Sequence, residues 1–428
     1  MRRNVKLNLY AALAGCVITT SPLSQANAAN GVPDAAVDVP GASGTASPDD
    51  GDTFKMFAAD QESYDSNVYR IPSGASELTG LVGPSQSRED HINIASLEAD
   101  GQWIFGRQTI ILHLRADDNR FDQNTDLNNI SGTARTQWNW QIGDKLSGQA
   151  GYDYNRSLAA FADTRYFALD LVESNQAFAN ARYQIGPRWA VYGTASEGHT
   201  SNSAAPERLN DFISKSGSVG IECATAVNNT VGWEYDRTIG SYPSDVFVDS
   251  ALFNRNYIEN AARFLATYSA TEKTTLNVNA GYLKRDYPDA AYGAFSGDIW
   301  RVSLAWLTNA KLQFTFAGWH ELQAYLDSQS NYFVSKGGSI SPVWTVSEKL
   351  GLSGVISYAN QNYIGSSLNV LTLGTRQDKV SSQQVSLNYT PRRAVILKLT
   401  YRYDQRKSNQ DIFDFDDQLV SVSLKFTF

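Results

Sequence analysis

The sequence predicts an all-β fold: a transmembrane antiparallel β-barrel of about 18 strands, within a range of about 16–18, behind a cleaved signal peptide. Three observations predict it. Apolar and polar residues alternate with period two through most of the chain after Asp52, as in a strand with each face in a different environment. The connections between the alternating stretches are by turns short and long, as in a barrel with tight turns at one rim and loops at the other. Finally, an alternating stretch ends on the aromatic Phe428, which reads as a barrel-assembly signal and implies the barrel-assembly machinery as a partner.

Composition narrows the classes further. Of 428 residues, 42% are hydrophobic and only 19% charged, below the roughly 25% usual for globular chains. No apolar run approaches the ~18–20 residues of a membrane-spanning helix; the longest is Ala11 to Ile18. Helical membrane proteins are excluded. With 36 Lys+Arg against 44 Asp+Glu, the chain has no global basic field, so nucleic acid is not an expected partner.

In chain order, Arg2, Arg3 and Lys6 precede an apolar stretch from Leu7 to Thr20, a Ser21-Pro22 break and the small residues Ala26-Asn27-Ala28. This layout is a signal peptide over 1–28. Leu13-Ala14-Gly15-Cys16 also reads as a lipobox, which would make Cys16 a lipidated N-terminus instead. Both readings send the protein out of the cytoplasm, and both leave Cys223 without a partner for a disulfide. Residues 29–51 are Pro, Gly, Ala, Ser and Asp with no basic residue. Such a stretch buries too little apolar area to offset its ordering entropy, and is expected to be a flexible acidic lead-in.

The barrel is expected over 52–428, with strands at 52–66, 88–100, 106–121, 127–142, 145–160, 172–185, 188–200, 211–224 and 228–239. The second half continues at 255–269, 274–287, 295–308, 311–325, 329–344, 349–362, 377–390, 394–407 and 415–428. The last strand is the clearest: Val420, Val422, Leu424, Phe426 and Phe428 oppose Ser421, Ser423, Lys425 and Thr427. Lipid offers no hydrogen bonds, so such a sheet must close on itself. Trp138, Trp140, Trp189, Trp233, Trp300, Trp306 and Trp344 fall on apolar faces or near strand ends, where interfacial girdles need amphipathic rings. A secreted soluble sandwich or propeller would also alternate, but with shorter strands and a polar exterior.

A barrel this wide encloses water. By alternation the inward candidates for lining the lumen are Arg135, Gln137, Asn139, Gln141, Arg182, Glu222, Glu234, Asp236, Arg263, Arg301, Lys398, Arg402 and Lys425. Arg and Lys pair with carboxylates, while Asn, Gln and acids bond to hydroxyls, and each of these residues is also read as lining a wet wall or forming Arg–acid ladders. His91, His113, His199 and His320 are scattered without metal-ligand spacing. No nucleophile–base or phosphate-loop motif appears. The expectation is a non-enzyme with no cofactor and no metal. Cys223 lies beside Val219 and Ile221 on an apolar face and reads as lipid-facing.

Four features resemble the EpsL-type barrels of exopolysaccharide operons, in the β-barrel porin group: Tyr64-Asp65-Ser66-Asn67-Val68-Tyr69-Arg70, the stretch from Arg156 to Asp163, the turn Gly186-Pro187-Arg188-Trp189, and terminal Phe428. The resemblance runs from about Phe54 to Phe428. It implies a bacterial outer-membrane conduit for a secreted polysaccharide, with the inward residues named above as its polysaccharide-contacting candidates. The implied partners are a periplasmic polysaccharide-export protein and an inner-membrane copolymerase, besides outer-membrane lipid. Two alternatives stand beside it: a general or small-solute diffusion porin, and a structural or adhesive surface barrel. Long loops such as 67–87 and 240–254 are expected outside the cell, where they could fold inward. Deleting residues 73–83 should then raise single-channel conductance in a planar bilayer, and an unchanged conductance would count against inward folding of that loop.

Overall fold

A computed structural model describes residues 53–72, 87–162, 164, 166–225, 229–248, 251–288, 294–324, 332–364 and 375–428. The expected signal peptide, Cys16, the acidic lead-in and the 73–83 segment lie outside these residues. The strands are β1 (Thr53–Asp65), β2 (Asp90–Phe105), β3 (Gln108–Phe121), β4 (Asn129–Ile142), β5 (Leu146–Leu158), β6 (Leu171–Gln184) and β7 (Trp189–Asn202). They continue with β8 (Phe212–Ala224), β9 (Thr230–Ser241), the short hairpin β10 (Val246–Val248) and β11 (Ala251–Phe253), β12 (Tyr257–Thr271), β13 (Thr274–Asp286) and β14 (Phe295–Asn309). The last are β15 (Leu312–Ala324), β16 (Tyr332–Ser347), β17 (Leu350–Ile364), β18 (Gln377–Arg392), β19 (Val395–Ser408) and β20 (Phe415–Thr427).

All but the hairpin join one 18-stranded antiparallel sheet. It is closed, because β1 pairs with β2 on one side and with β20 on the other. Closure leaves no edge strand whose backbone groups would face lipid unpaired. The short turns, such as Gly106–Arg107, lie at the rim where β1 begins and β20 ends, and the strands joined by long connections are linked at the opposite rim. The expected strands match the observed ones to within five residues at every end. The largest difference is at β2, expected to stop near 100 and observed to run to Phe105. Gly101 lies within the strand, with the Trp103 ring 2.5 Å from where a Cβ would stand. The hairpin in the 240–254 loop carries no signal in the period-two pattern.

The two faces of the wall differ as lipid differs from water. Cross-strand partners share a face, so the register traces each face around the ring. Phe54, Met56, Trp138, Trp233, Ile340, Ile356, Leu399 and Val422 form an exposed apolar exterior. The other face carries polar side chains that are nonetheless buried, among them Ser174, Gln176, Ser335, Gln361, Asp378, Asp404 and Asp417. Strands of 12–16 residues exceed the ~9–11 needed to cross the hydrocarbon, so the wall projects beyond it. The register puts the seven tryptophans expected on apolar faces or near strand ends on the outer face; Trp319, which is not among them, points inward, is 1% exposed and donates to Ser335 Oγ at 3.0 Å.

The seam between first and last strands has nine paired residues, from Phe57↔Thr427 to Asp65↔Leu419. Side chains fasten both of its ends. At the end where β1 begins and β20 ends, Lys425 Nζ reaches over β1 to Glu98 at 2.7 Å and lies 4.0 Å from the Phe57 ring. At the other end Arg70, just beyond β1, pairs with Asp65 at 2.9 Å and with Asp417 of β20 at 3.0 Å. Burial pulls the Arg70 pKa down, but these two carboxylates more than offset it and hold it raised. Removing one partner of a buried ion pair costs about 3–5 kcal/mol, because the remaining charges stay dehydrated. Arg70→Ala should therefore lower the temperature at which the folded barrel loses its fast-migrating form in SDS gels, whereas an unchanged transition would show that the clasp does not hold the seam.

Candidate functional site: the lumen and its mouth

Register places the sequence-derived candidates on the inner face and gives each its neighbours. Arg135 of β4 faces Asp153 of β5, with Nε 3.3 Å from Oδ1. Its Nη2 donates to Gln137 at 3.1 Å, and Gln137 donates to Asn139 at 2.7 Å. Gln141 turns to the Gly143 carbonyl at the rim. Arg182 of β6 reaches past β7 to Glu222 of β8 at 2.5 Å. Arg263 of β12 gathers Asp236 at 2.9 Å and Glu234 at 3.9 Å from β9. Arg301 holds Glu321 of the next strand through two nitrogens, and Arg402 holds Asp404 at 2.9 Å.

The Lys398 side chain forms no ion pair or hydrogen bond among the described residues. Thus Arg135, Gln137 and Asn139 form one group, and Glu234, Asp236 and Arg263 another. The remaining candidates are spread around the circumference. Such pairs hold neighbouring strands together and leave the wall with little uncompensated charge.

Sequence reasoning did not find the most heavily built region, which lies at the loop-bearing rim. After β1 the chain turns inward: Val68, Tyr69 and Ile71 are at most 7% exposed and pack with Phe121, Leu127, Phe161 and Phe167. Asn67 fixes the turn, donating from Nδ2 to the Ile71 and Asp416 carbonyls at 2.9 Å and accepting from Ile71 N–H at 3.1 Å. Arg70 takes up the left-handed φ of 53° that the turn requires, held there by its two carboxylates. The Tyr69 ring meets Phe161 at 4.9 Å and Phe167 at 6.0 Å. Burial pushes the Tyr69 phenol up, so it stays neutral.

Phe161 and Phe167 belong to the connection after β5, four strands from β1 around the ring. The two segments meet at the loop-bearing rim, with Phe121 and Leu127, from β3 and the connection after it, packed between them. From the other side, Arg406 of β19 donates to the Ala162 carbonyl. Five strands separate β19 from β5 in the sheet order, so this bond is a chord across the mouth. Around its base Arg70, Arg376, Arg402 and Arg406 interleave with Asp65, Asp378, Asp404 and Asp417. A second aromatic cluster, Tyr257, Tyr287 and Tyr332, encloses Arg285, which pairs with Glu259 at 2.6 Å.

One further grouping depended on register. Asp100 faces His113 across β2 and β3, and Glu98, Asp100 and His113 offer ligand atoms within 4.8 Å of one another. His113 Nδ1 is already 2.7 Å from Asp100, and Lys425 Nζ 2.7 Å from Glu98. These donors are engaged with each other and with an ammonium, and the arrangement stands as an ion-paired wall.

A protein-family model described as "Putative beta-barrel porin 2" matches residues 242–428. No curated protein matches the chain. Similar solved structures include the outer membrane protein OpdK of Pseudomonas aeruginosa, with 12% identity over 88% of this chain and 98% of that one, at a TM-score of 0.46. OccAB3 of Acinetobacter baumannii has 10% identity over 88% and 99%, at a TM-score of 0.47. OccK2 (OpdF) of Pseudomonas aeruginosa, solved in complex with glucuronate, has 8% identity over 88% and 96%, at a TM-score of 0.47. The family match is to a porin barrel and does not reach the EpsL-type subgroup. The closed 18-stranded wall with its apolar exterior is the architecture of a bacterial outer-membrane β-barrel, and the porin-barrel model matches its C-terminal part, less than half of the chain.

Proposed function

We propose that this chain is a small-solute channel whose passage is set by a narrowed mouth. One observation carries the reading: the loops after β1 and β5 meet inside the rim, and Arg406 of a distant strand holds the second of them at Ala162. A barrel of about 18 strands is wide enough for an aqueous path, so the loops rather than the wall set the size limit. A hydrated polymer would need both loops displaced. Fixed charges in the lumen are largely paired, so selectivity by sign of charge is weak.

Export of a secreted polysaccharide is the second reading. It is favoured by one coincidence: the segments that resemble EpsL-type barrels, from Tyr64 to Arg70 and from Arg156 onward, include those that meet at the mouth. It would call on a periplasmic export protein and a copolymerase. If that reading holds, a clean gene deletion should lower extracellular polysaccharide and leave polymer in the periplasm; wild-type secretion would exclude it.

For the channel reading, the purified chain in a planar bilayer should conduct in discrete steps. Arg406→Ala removes the tie to Ala162 and should raise the unit conductance. A barrel that is folded yet carries no current would overturn the channel reading, and equal conductance in the variant would remove the Arg406 tie as its size limit.

A further inference from the structure

Aromatic rings on the inner wall follow a pattern that neither ion pairing nor closure of the mouth requires. Four of them lie across a glycine directly opposite on the neighbouring strand: Phe178 over Gly151, Tyr192 over Gly220, Tyr257 over Gly240 and Trp319 over Gly337. A Cβ on Gly220 would stand 2.3 Å from Tyr192 Cζ, and one on Gly151 would stand 2.5 Å from Phe178 Cζ. Glycine there lets the ring lie along the wall, which also shields the bare backbone.

Tyr257 and Trp319 are buried, at 6% and 1% exposure, and their rings are consumed in packing. Tyr192 and Phe178 are only half-buried, so each keeps part of its surface open to the water-filled interior. Apolar ring surface left open to water on a wall that is otherwise polar is the kind of exposure that marks a contact site.

The polar surroundings of Tyr192 complete the site. It pairs in register with Arg182, whose guanidinium holds Glu222 at 2.5 Å, and Glu234 faces Gly220 on the far side. An apolar ring face edged by carboxylates and a guanidinium matches a ligand with one C–H-rich face and a rim of hydroxyls. Phe178 and Arg182 are four residues apart on β6, a rise of about 13 Å, so the second ring lies further along the same side of the channel.

We infer that Tyr192 and Phe178 are two stations of a sugar-binding track on the β5–β9 wall, at which pyranose rings rest on the aromatic surface while their hydroxyls meet Arg182, Glu222 and Glu234. This inference rests on the channel reading and names its solute class.

The test is single-channel recording of the full chain with maltotriose as the probe. Wild-type channels should show brief, concentration-dependent interruptions of the ion current. Tyr192→Ala should shorten their dwell time by roughly three- to tenfold, the range expected from loss of one aromatic contact, and Phe178→Ala should do the same. Tyr192→Phe, which keeps the ring over Gly220, should retain most of the dwell time and controls for damage to the wall. Conducting channels that maltotriose never interrupts, or dwell times unchanged in both alanine variants, would overturn the track while leaving the channel reading intact. A folded barrel without ion current would instead overturn the channel reading and this inference with it.

Discussion

The constraint on which the rest depends is that hydrocarbon accepts and donates no hydrogen bonds. A strand in lipid can satisfy its backbone only against other strands, and the set can end only by returning to its beginning. Pairing of β1 with both β2 and β20 meets that requirement, and most other features follow from it. An exterior of Phe, Trp, Ile, Leu and Val is tolerated because it is solvated by lipid. The mean hydropathy of −0.35 then averages one lipid-facing surface with one water-facing surface.

Closure also explains the chain's unusual burial. In a soluble domain the buried residues are apolar; here many buried side chains on the strands are Ser, Gln, Asp and Arg. They are crowded against neighbours on the concave face, where dehydrated charge is tolerable only with a partner. That is why Arg263 meets Asp236, Arg301 meets Glu321 and Lys425 meets Glu98. The apolar clusters are displaced to the rim, where loops from separate strands can reach one another. Tyr69 with Phe161 and Tyr287 with Tyr332 are instances.

What the sequence reveals follows the same physics. Strand number and faces are legible because alternation records the difference between lipid and water residue by residue, as from Val420 to Phe428. Partners are not, because they depend on register across strands: nothing local joins Arg182 to Glu222, or Asp100 to His113. Nor is the mouth. Val68, Tyr69 and Ile71 stand in a segment that reads only as a long loop, and their destination depends on Phe161 and Phe167 some ninety residues on. A usable signal was present: an outward loop has little use for adjacent Val, Tyr and Ile, so such a run implies that the loop folds back.

The two loops at the mouth are held by different physics, and the difference assigns them different roles. The chain after β1 is fixed by Arg70 between two nearly buried carboxylates and by three hydrogen bonds of Asn67 to the Ile71 and Asp416 backbone. Moving it would strand Asp65 and Asp417 in a dehydrated site and would also open the clasp of the barrel seam. The chain after β5 is joined to that structure by ring contacts and by the donation of Arg406 to the Ala162 carbonyl. A carbonyl released from that bond is neutral and is readily satisfied by water, and Arg406 still has Asp378 at 3.5 Å. Displacing the second loop therefore costs much less than displacing the first. Residues 66–72 are a fixed part of the wall, and of the two segments that meet at the mouth the one after β5 is the one that can move aside.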